Sequence, residues 1–401
     1  MTRAQDGKRQ ARILALLCAA GFATMASLRA CDGLLEALAR EFGASTGQAG
    51  QTVSSFAAAY GIALLLYGPA GDRYGKFRVV CGATMASTIA SLACALAPSL
   101  GWLVAFRALA GVAAAGVTPL AMAWVGDHVP YARRQEVLAR LIGATILGMI
   151  AGQSIGATLA DTLGWRSAFL GLALVFAACG ALMWQAMRGD AQPVGTVPAG
   201  MTARRSALLV WREPWARRVL CFSFLEGVFV FAGLAFLPAF LHQRFGLPMR
   251  WAGAVLVAYG AGGLFYSRHA GALVRRFGET GLARIGGALL GIYFAGLALL
   301  PGWGWAVPAC AAGGCGFYML HNTLQTHATQ MAPRVRGTAV TLFSAALFLG
   351  HSLGVGLAAR VVDASSAVPV FAVSALALPV IALVFASQAR AARTRMATPL
   401  P

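Results

Sequence analysis

Four ionisable residues of this 401-residue sequence stand in or beside long apolar stretches, where a charge needs a partner or a proton. Asp32 and Glu36 are spaced i, i+4, which puts both on one face of a helix. Glu226 follows Arg218 by eight residues, about 12 Å along a helix axis, and is the only acid deep in the second half. Arg107 begins another apolar stretch, and Asp32 is its nearest candidate partner unless its side chain snorkels to the helix end. These four residues are therefore candidates for a functional site, and Glu226 is a candidate for binding a proton or a cation.

A second set of polar side chains could hydrogen-bond a small substrate or join helices. Its members are Gln153, His321, Asn322 and Gln325. His321 and His327 are six residues apart and do not share a helical face, so no metal site is expected there. The eight cysteines contain no C-x-x-C and are predicted to be small buried hydrophobic residues.

Two pentapeptides, at 152–156 and 350–354, fit the G-x-S-x-G pattern of a hydrolase nucleophile. That motif needs a strand, a turn and a helix, whereas both copies lie in apolar stretches of helical length. Their small residues instead favour close packing of helices in a membrane, so an enzyme is not expected. The predicted packing residues are Gly148, Gly152, Gly156, Gly350 and Gly354.

The elements that carry these residues are predicted to be transmembrane helices. Apolar residues make up 59% of the chain and charged residues only 11%, against roughly 25% in a soluble protein. Eleven stretches lack Asp, Glu, Lys and Arg, apart from Glu226 within one of them, and the turn signal Pro301-Gly302 divides the longest, which gives twelve helices. A membrane β-barrel would show alternating segments of about ten residues instead. The first helix follows a basic N-terminus that imitates a signal peptide; it is predicted to be retained and to run past Arg29 towards Ala37.

The charges predict the orientation of these helices. The net charge is +19, and 25 of the 32 lysines and arginines fall in cytoplasmic segments if both chain ends are cytoplasmic. The basic excess is therefore a topology signal, and no nucleic-acid partner is implied. The lipid bilayer is therefore an expected partner of the chain.

The chain is predicted to consist of two six-helix halves. The longest polar interval, at 188–216, separates a bundle at 1–187 from a bundle at 217–401. The halves match each other at 40–43 and 243–246, an offset of 203, and at 152–156 and 350–354, an offset of 198. Duplicated six-helix units are typical of secondary transporters, whose site lies between the halves in the middle of the membrane.

The connection after the second helix carries a motif of specific spacing. In Gly68-Pro69-Ala70-Gly71-Asp72-Arg73-Tyr74-Gly75-Lys76-Phe77-Arg78 the chain resembles the major facilitator superfamily, whose loop reads G-x-x-x-D-R-x-G-R-R. It departs from that pattern at Phe77, where a base is usual. The resemblance implies that the loop latches the two halves in the outward-facing state, with Asp72 near the start of helix 11 at 336–338. It also implies that Arg73 or Lys76 pairs with Asp127. The gating set is Gly68, Asp72, Arg73, Gly75, Lys76, Arg78 and Asp127.

Two further motifs support the resemblance. Arg107-x-x-x-Gly111 matches the helix-4 motif of the family, in which the arginine is linked to proton coupling. Drug/proton antiporters of the family often carry an aspartate at the place of Asp32 and a proline four residues later, where this chain has Glu36. The helix-5 antiporter motif G-x-x-x-G-P-x-x-G-G keeps three glycines at 148–156 but lacks the proline and the last glycine.

The resemblance implies an all-α membrane protein with the major facilitator fold, twelve transmembrane helices in two six-helix repeats around a central cavity. The expected function is proton-coupled efflux of small organic or amphipathic compounds by alternating access, driven by the proton gradient without a cofactor, in a monomer. Proton-coupled uptake of a sugar, an organic acid or an amino acid is the alternative. A membrane-embedded hydrolase and a transport-dead sensor are alternatives of a different class. The first lacks a usable nucleophile–base pair, and the intact loop at 68–78 argues against the second.

Overall fold

The computed structural model describes residues 3–188 and 203–397, which form fourteen α-helices and no strand. The first half contains α1 (Arg3–Ala30), α2 (Leu35–Phe42), α3 (Thr46–Tyr74), α4 (Lys76–Ala95), α5 (Leu100–Ala114), α6 (Val117–His128), α7 (Tyr131–Thr162) and α8 (Trp165–Arg188). The remainder contains α9 (Ala203–Arg212), α10 (Pro214–Phe245), α11 (Met249–Ala298), α12 (Ala306–Gln330), α13 (Arg336–Ala364) and α14 (Val368–Ala397). Within the predicted linker 188–216, α9 is described, whereas residues 189–202 lie outside the described residues.

Twelve transmembrane spans follow from these helices. Among the described residues, ten helical segments are long and apolar enough to cross a membrane, and α5 with α6 forms one of them. The longest, α11, has 50 residues and turns at Gly278, whose φ of 66° suits glycine, so it contains two spans. With its 25 residues, α12 packs along α11 and is the twelfth span. The prediction of an all-α membrane protein with twelve transmembrane helices is confirmed.

The first transmembrane helix is shorter than predicted. A 3-10 turn at Cys31–Gly33 separates α1 from α2, so the prediction of a continuous helix towards Ala37 is wrong. Gly33 lies so close to α7 that a Cβ there would be 2.6 Å from a backbone oxygen of that helix. Glycine weakens a helix interior, and this contact holds the chain in the turn. Asp32 and Glu36 therefore do not share a helix face, contrary to the expectation from their spacing.

Glycines bring helices of each half into backbone contact at positions related by the repeat. A Cβ at Gly148 on α7 would lie 2.2 Å from the carbonyl oxygen of Phe22 on α1. One at Gly350 on α13 would lie 2.0 Å from that of Phe224 on α10. The same contact recurs along these helices: Gly152 with Ala26, Gly156 with Ala30 and Gly354 with Val228. The equivalent residues are 202 apart, so the pairing of 152–156 with 350–354 at an offset of 198 is wrong by one helical turn.

The two halves meet where α3 packs on α13 and where α7 packs on α11. Both contacts extend from one end of the molecule to its middle. A Cβ at Gly47, where α3 begins, would lie 2.3 Å from the carbonyl oxygen of Ala359, and close contact continues to Gly61. We call the end that holds Gly47 the closed end and the opposite one the open end. At the open end, a Cβ at Gly68 or Gly337 would meet no other helix within 4 Å. A cavity of about 670 Å³ lies there beside the start of α13.

Candidate functional site

The centre of the molecule is marked by a contact between residues at the same position of the two halves. Arg29 on α1 and Phe231 on α10 are 202 residues apart, the offset that relates these helices. The guanidinium carbon of Arg29 lies 5.3 Å from the centroid of the Phe231 ring, and both side chains are buried. Equivalent residues that touch each other lie on the two-fold axis that relates them. This cation–π contact therefore stands at the interface of the two halves.

Asp32 lies beside this contact and has two partners in the first half. It is fully buried in the turn after α1. Nε2 of Gln153 on α7 donates a hydrogen bond to its Oδ2 at 2.9 Å, and Nη2 of Arg29 pairs with the same oxygen at 3.0 Å. Its Oδ1 has no hydrogen-bond partner among the described residues. The carboxylate is thus paired with a base and keeps one oxygen for a proton or a donor group.

Arg107 has a different environment from the predicted one. It is fully buried on α5, where its Nη1 donates to the carbonyl oxygen of Ser27 at 2.9 Å and its Nε to that of Thr52 at 3.2 Å. Its guanidinium carbon lies 4.2 Å from the ring centroid of Phe56. Ser27 is in the last turn of α1, whose carbonyl groups lack partners within the helix. The predicted pairing with Asp32 is therefore wrong, and Arg107 does not snorkel to the helix end. Its guanidinium instead donates a hydrogen bond to a carbonyl group at the end of α1.

The second buried acid has its base in the second half. Glu226 on α10 is fully buried, and its Oε2 is hydrogen-bonded to Nδ1 of His321 on α12 at 2.9 Å. Its Oε1 has no hydrogen-bond partner among the residues described. The His321 ring stacks on Phe317 at 5.1 Å and lies 5.4 Å from Phe343. His321, predicted as a substrate contact, is thus a partner of the buried acid.

Aromatic rings connect the two acid–base pairs. Phe231, on which Arg29 lies, is 5.8 Å from Phe317, which stacks on His321. Phe231 also stacks on His351 of α13 at 4.2 Å. His351 is fully buried, and neither ring nitrogen has a hydrogen-bond partner in the described part of the chain. It was not among the predicted site residues; its only signal in the sequence is a lone histidine in an apolar stretch.

Two of the predicted polar candidates are not part of this arrangement. Asn322 and Gln325 are partly buried on α12. Oγ1 of Thr326 donates a hydrogen bond to the backbone carbonyl oxygen of Asn322 at 2.8 Å. Within residues 3–188 and 203–397, the side-chain hydrogen bonds of Asp32 and Glu226 are made with Gln153 and His321, not with Asn322 or Gln325.

Glu36 lies at the closed end rather than beside the other acid. It is on α2 and accepts hydrogen bonds from Oγ1 of Thr46 at 2.9 Å and from the side chain of Gln243, which belongs to the second half. These residues line a cavity of about 420 Å³. Glu36 therefore takes part in the contact between the halves.

The loop at 68–78 lies at the open end and is bound within its own half. Lys76 is hydrogen-bonded to Asp127 in the last turn of α6. The guanidinium carbon of Arg73 lies 5.2 Å from the ring centroid of Tyr74. Gly75, with a φ of 89°, makes the turn between α3 and α4. Of the two bases offered by the sequence, Lys76 is the one that contacts the aspartate.

The predicted approach of Asp72 to residues 336–338 is not made in this state. Asp72 is 62% exposed, and among the described residues its ion-pair partner is Lys76, with Nζ 3.9 Å from its Oδ1. The physical reason is the separation of the halves at the open end, where Gly337 has no helix against it.

Comparison with known proteins gives a family and three similar proteins. A family model described as Major Facilitator Superfamily matches residues 17–355. The chain is 26% identical over 337 residues to the uncharacterized MFS-type transporter YceJ of Bacillus subtilis (strain 168), over 81% of this chain and 83% of that protein. It is 29% identical over 273 residues to a chloramphenicol resistance protein of Streptomyces lividans, over 67% of this chain and 68% of that protein. A crystal structure of a D-xylose-proton symporter has a similar fold, with a TM-score of 0.76 and 17% identity over 94% of this chain and 96% of that chain.

Proposed function

The chain belongs to the major facilitator superfamily of membrane transporters, and we propose that it exports small organic or amphipathic compounds across a bacterial inner membrane in exchange for protons. The proton gradient is the energy source in this proposal, without a cofactor, and the protein works as a monomer. The basic segments, at the open end, support a cytoplasmic position of that end and of both chain ends.

One observation carries the proposal: each half contributes one fully buried carboxylate. Asp32 pairs with Arg29 of the contact on the two-fold axis, and Glu226 is connected to that contact through the rings of His321 and Phe317. Each carboxylate has one oxygen bound to a base, Arg29 for Asp32 and His321 for Glu226, and one oxygen without a partner in the described residues. A buried ion pair such as Arg29–Asp32 is stable only while both charges stay together. A proton that neutralises the carboxylate therefore releases the base, which is the exchange that a proton-coupled carrier needs between its halves.

Arg29 connects this exchange to the relation between the halves. Its guanidinium is bound by Asp32 within the first half and lies on Phe231 of the second half. A proton on Asp32 frees the guanidinium for a substrate, and loss of that proton returns it to the carboxylate. A substrate held near the rings of Phe317 and Tyr259, whose centroids are 6.3 Å apart, would then bind in one charge state and leave in the other.

Two observations favour export over uptake. The similarity to a chloramphenicol resistance protein extends over two thirds of the chain. The rings around the axis suit amphipathic compounds better than polyhydroxylated ones, because they offer apolar area with few hydrogen-bonding groups.

Proton movement in proteoliposomes tests the proposal. The protein is reconstituted with a pH-sensitive dye in the lumen, and the lumen is loaded with chloramphenicol or with one of a panel of neutral and cationic aromatic compounds. Exchange should acidify the lumen as the compound leaves. Alkalinisation would instead support co-transport, the uptake alternative, and transport without any pH change would contradict proton coupling.

Substitutions of the two acids locate the coupling. Asp32→Asn and Glu226→Gln keep the side-chain size but cannot exchange a proton, so each should abolish compound-driven acidification. Exchange of labelled for unlabelled compound, which needs no net proton movement, should persist in at least one of them. Glu213→Gln alters an exposed acid just before α10 and is the matched control, with unchanged coupling expected. Full coupling in both acid variants would contradict the proposal.

A further inference from the structure

A carboxylate of the second half binds the start of a helix of the first half at the closed end. Asp363, in the last turn of α13, accepts hydrogen bonds from the backbone N–H of Gly47 at 2.8 Å and from the hydroxyl of Ser45 at 2.6 Å. Ser45 is the N-cap of α3. The first N–H groups of a helix have no partner within it, and the helix dipole favours a negative charge there. Asp363 thus acts as a cap supplied by the other half.

A second carboxylate makes the same contact in the opposite direction. Asp161, in the last turn of α7, accepts a hydrogen bond from the backbone N–H of Arg250 at 2.8 Å. Arg250 is the second residue of α11, as Gly47 is the second residue of α3. The two aspartates are 202 residues apart and the two donors 203, the offsets that relate the halves. The contacts are therefore copies of each other about the axis through Arg29 and Phe231.

We propose that Asp161 and Asp363 are a symmetric pair of latches that hold the closed end together and must both release before it opens. Each latch joins the end of the fifth helix of one half to the start of the second helix of the other. The two aspartates are positioning residues of the transport cycle: they touch no substrate and set the balance between the two states of the carrier.

The latches can form only while this end is closed. A Cβ at Gly47 would lie 2.3 Å from the carbonyl oxygen of Ala359, and one at Gly253, near the start of α11, would lie 2.6 Å from the Cβ of Ala157 on α7. Movement of α13 away from α3 therefore breaks the bonds of Asp363, and movement of α7 away from α11 breaks that of Asp161. Both aspartates are exposed, so water replaces the lost bonds, and a latch of this kind opens readily.

Distances between spin labels test the latches. Labels carried by an unnatural amino acid at Leu96 and Leu299, which are exposed at the closed end of the first and second half, report the separation there. In the purified, substrate-free protein, Asp161→Ala and Asp363→Ala should each increase the population that is open at this end by about threefold. The double variant should increase it by about tenfold, because the two sites are independent.

A matched control separates a latch from a general surface effect. Glu41→Ala removes an exposed ion pair of the same length, 2.8 Å to Arg166, which lies at the same end but within the first half. It should leave the distance distribution unchanged. Asp161→Asn and Asp363→Asn retain an acceptor without the charge and should give a smaller shift than alanine. They also keep the test possible if an alanine variant folds poorly. An unchanged distribution in the double variant, or an equal shift in Glu41→Ala, would overturn the proposal. Failure of proton exchange would not, since the measurement uses neither substrate nor a pH gradient.

Discussion

The guanidinium of Arg107 donates hydrogen bonds to carbonyl oxygens of two helices, Ser27 on α1 and Thr52 on α3. The first of these lies where α1 stops and its last carbonyl groups lose their helical partners. Because the turn at Cys31–Gly33 begins there, Arg107 determines where Asp32 is held without binding it. At the scale of single residues, its role is to position the buried acid.

Arg107→Lys tests this role. A lysine keeps the charge but lacks the planar fork that reaches both carbonyl groups, so we expect a loss of about 1–3 kcal/mol in stability. The measurement is the midpoint of thermal unfolding in detergent, together with the number of protons exchanged per substrate, which should not change. Arg166→Lys, in an exposed ion pair, is the control and should cost less than about 1 kcal/mol. A changed stoichiometry with unchanged stability would contradict the positioning role.

The buried acids could be predicted from the sequence, and their partners could not. Asp32 and Glu226 stand out because charge is scarce in apolar stretches, whatever the arrangement of the helices. Their bases, Arg29 and His321, depend on the turn after α1 and on the neighbourhood of α10 and α12, which is information about the fold. The partners of Arg107 are backbone carbonyl groups, which every residue carries, so they leave no pattern in the sequence.

At the scale of elements, two glycines of α13 have opposite surroundings. A Cβ at Gly350 would lie 2.0 Å from the carbonyl oxygen of Phe224, whereas one at Gly356 would meet nothing within 4 Å. Gly350→Ala should therefore push α13 away from α10 and destabilise the protein by roughly 1–3 kcal/mol. Gly356→Ala should stabilise it by about 0.5–1 kcal/mol, because it only removes the flexibility of a glycine in a helix. Thermal unfolding of both variants in one detergent measures the difference, and shifts of the same sign would contradict this assignment.

The number of helices follows from the sequence more directly than their breaks and their register. The thickness of the hydrocarbon layer fixes the length of a span, so apolar stretches predict twelve of them. The break after α1 depends on the contact of Gly33 with α7, a helix far along the chain. The offset between the halves was wrong by one turn because Gly148, Gly152 and Gly156 recur every four residues, so a match shifted by one turn looks equally good.

At the scale of the whole molecule, the halves meet at one end and separate at the other. The latches of Asp161 and Asp363 exist in this state, while the loop at 68–78 is bound only within its own half in the described residues. By its resemblance to the family, that loop joins the halves in the opposite state. The two sets of contacts belong to opposite ends, so each set stabilises one of the two states of a rocking carrier.

Asp72→Asn should therefore favour the state described here. Asp72 is exposed and makes no contact with α13 among the described residues, so this state loses no contact between the halves. In the opposite state it is expected at the first turn of α13, where loss of the charge weakens the contact by about two- to fivefold. A substitution shifts the populations of two states only by the difference between its free-energy effects on each of them. Labels at Tyr74 and Val274, exposed at the open end, should show more of the long distance, and transport should slow while membrane insertion is unchanged.

The triple variant Asp72→Asn, Asp161→Ala, Asp363→Ala tests whether the two sets of contacts oppose each other. The latches stabilise the state described here, and Asp72 stabilises the opposite one, so the two aspartate-to-alanine substitutions should move the distance distribution of Asp72→Asn back towards that of the unmodified protein. If Asp72→Asn and the loss of the latches shifted the distribution in the same direction, this opposition would be contradicted.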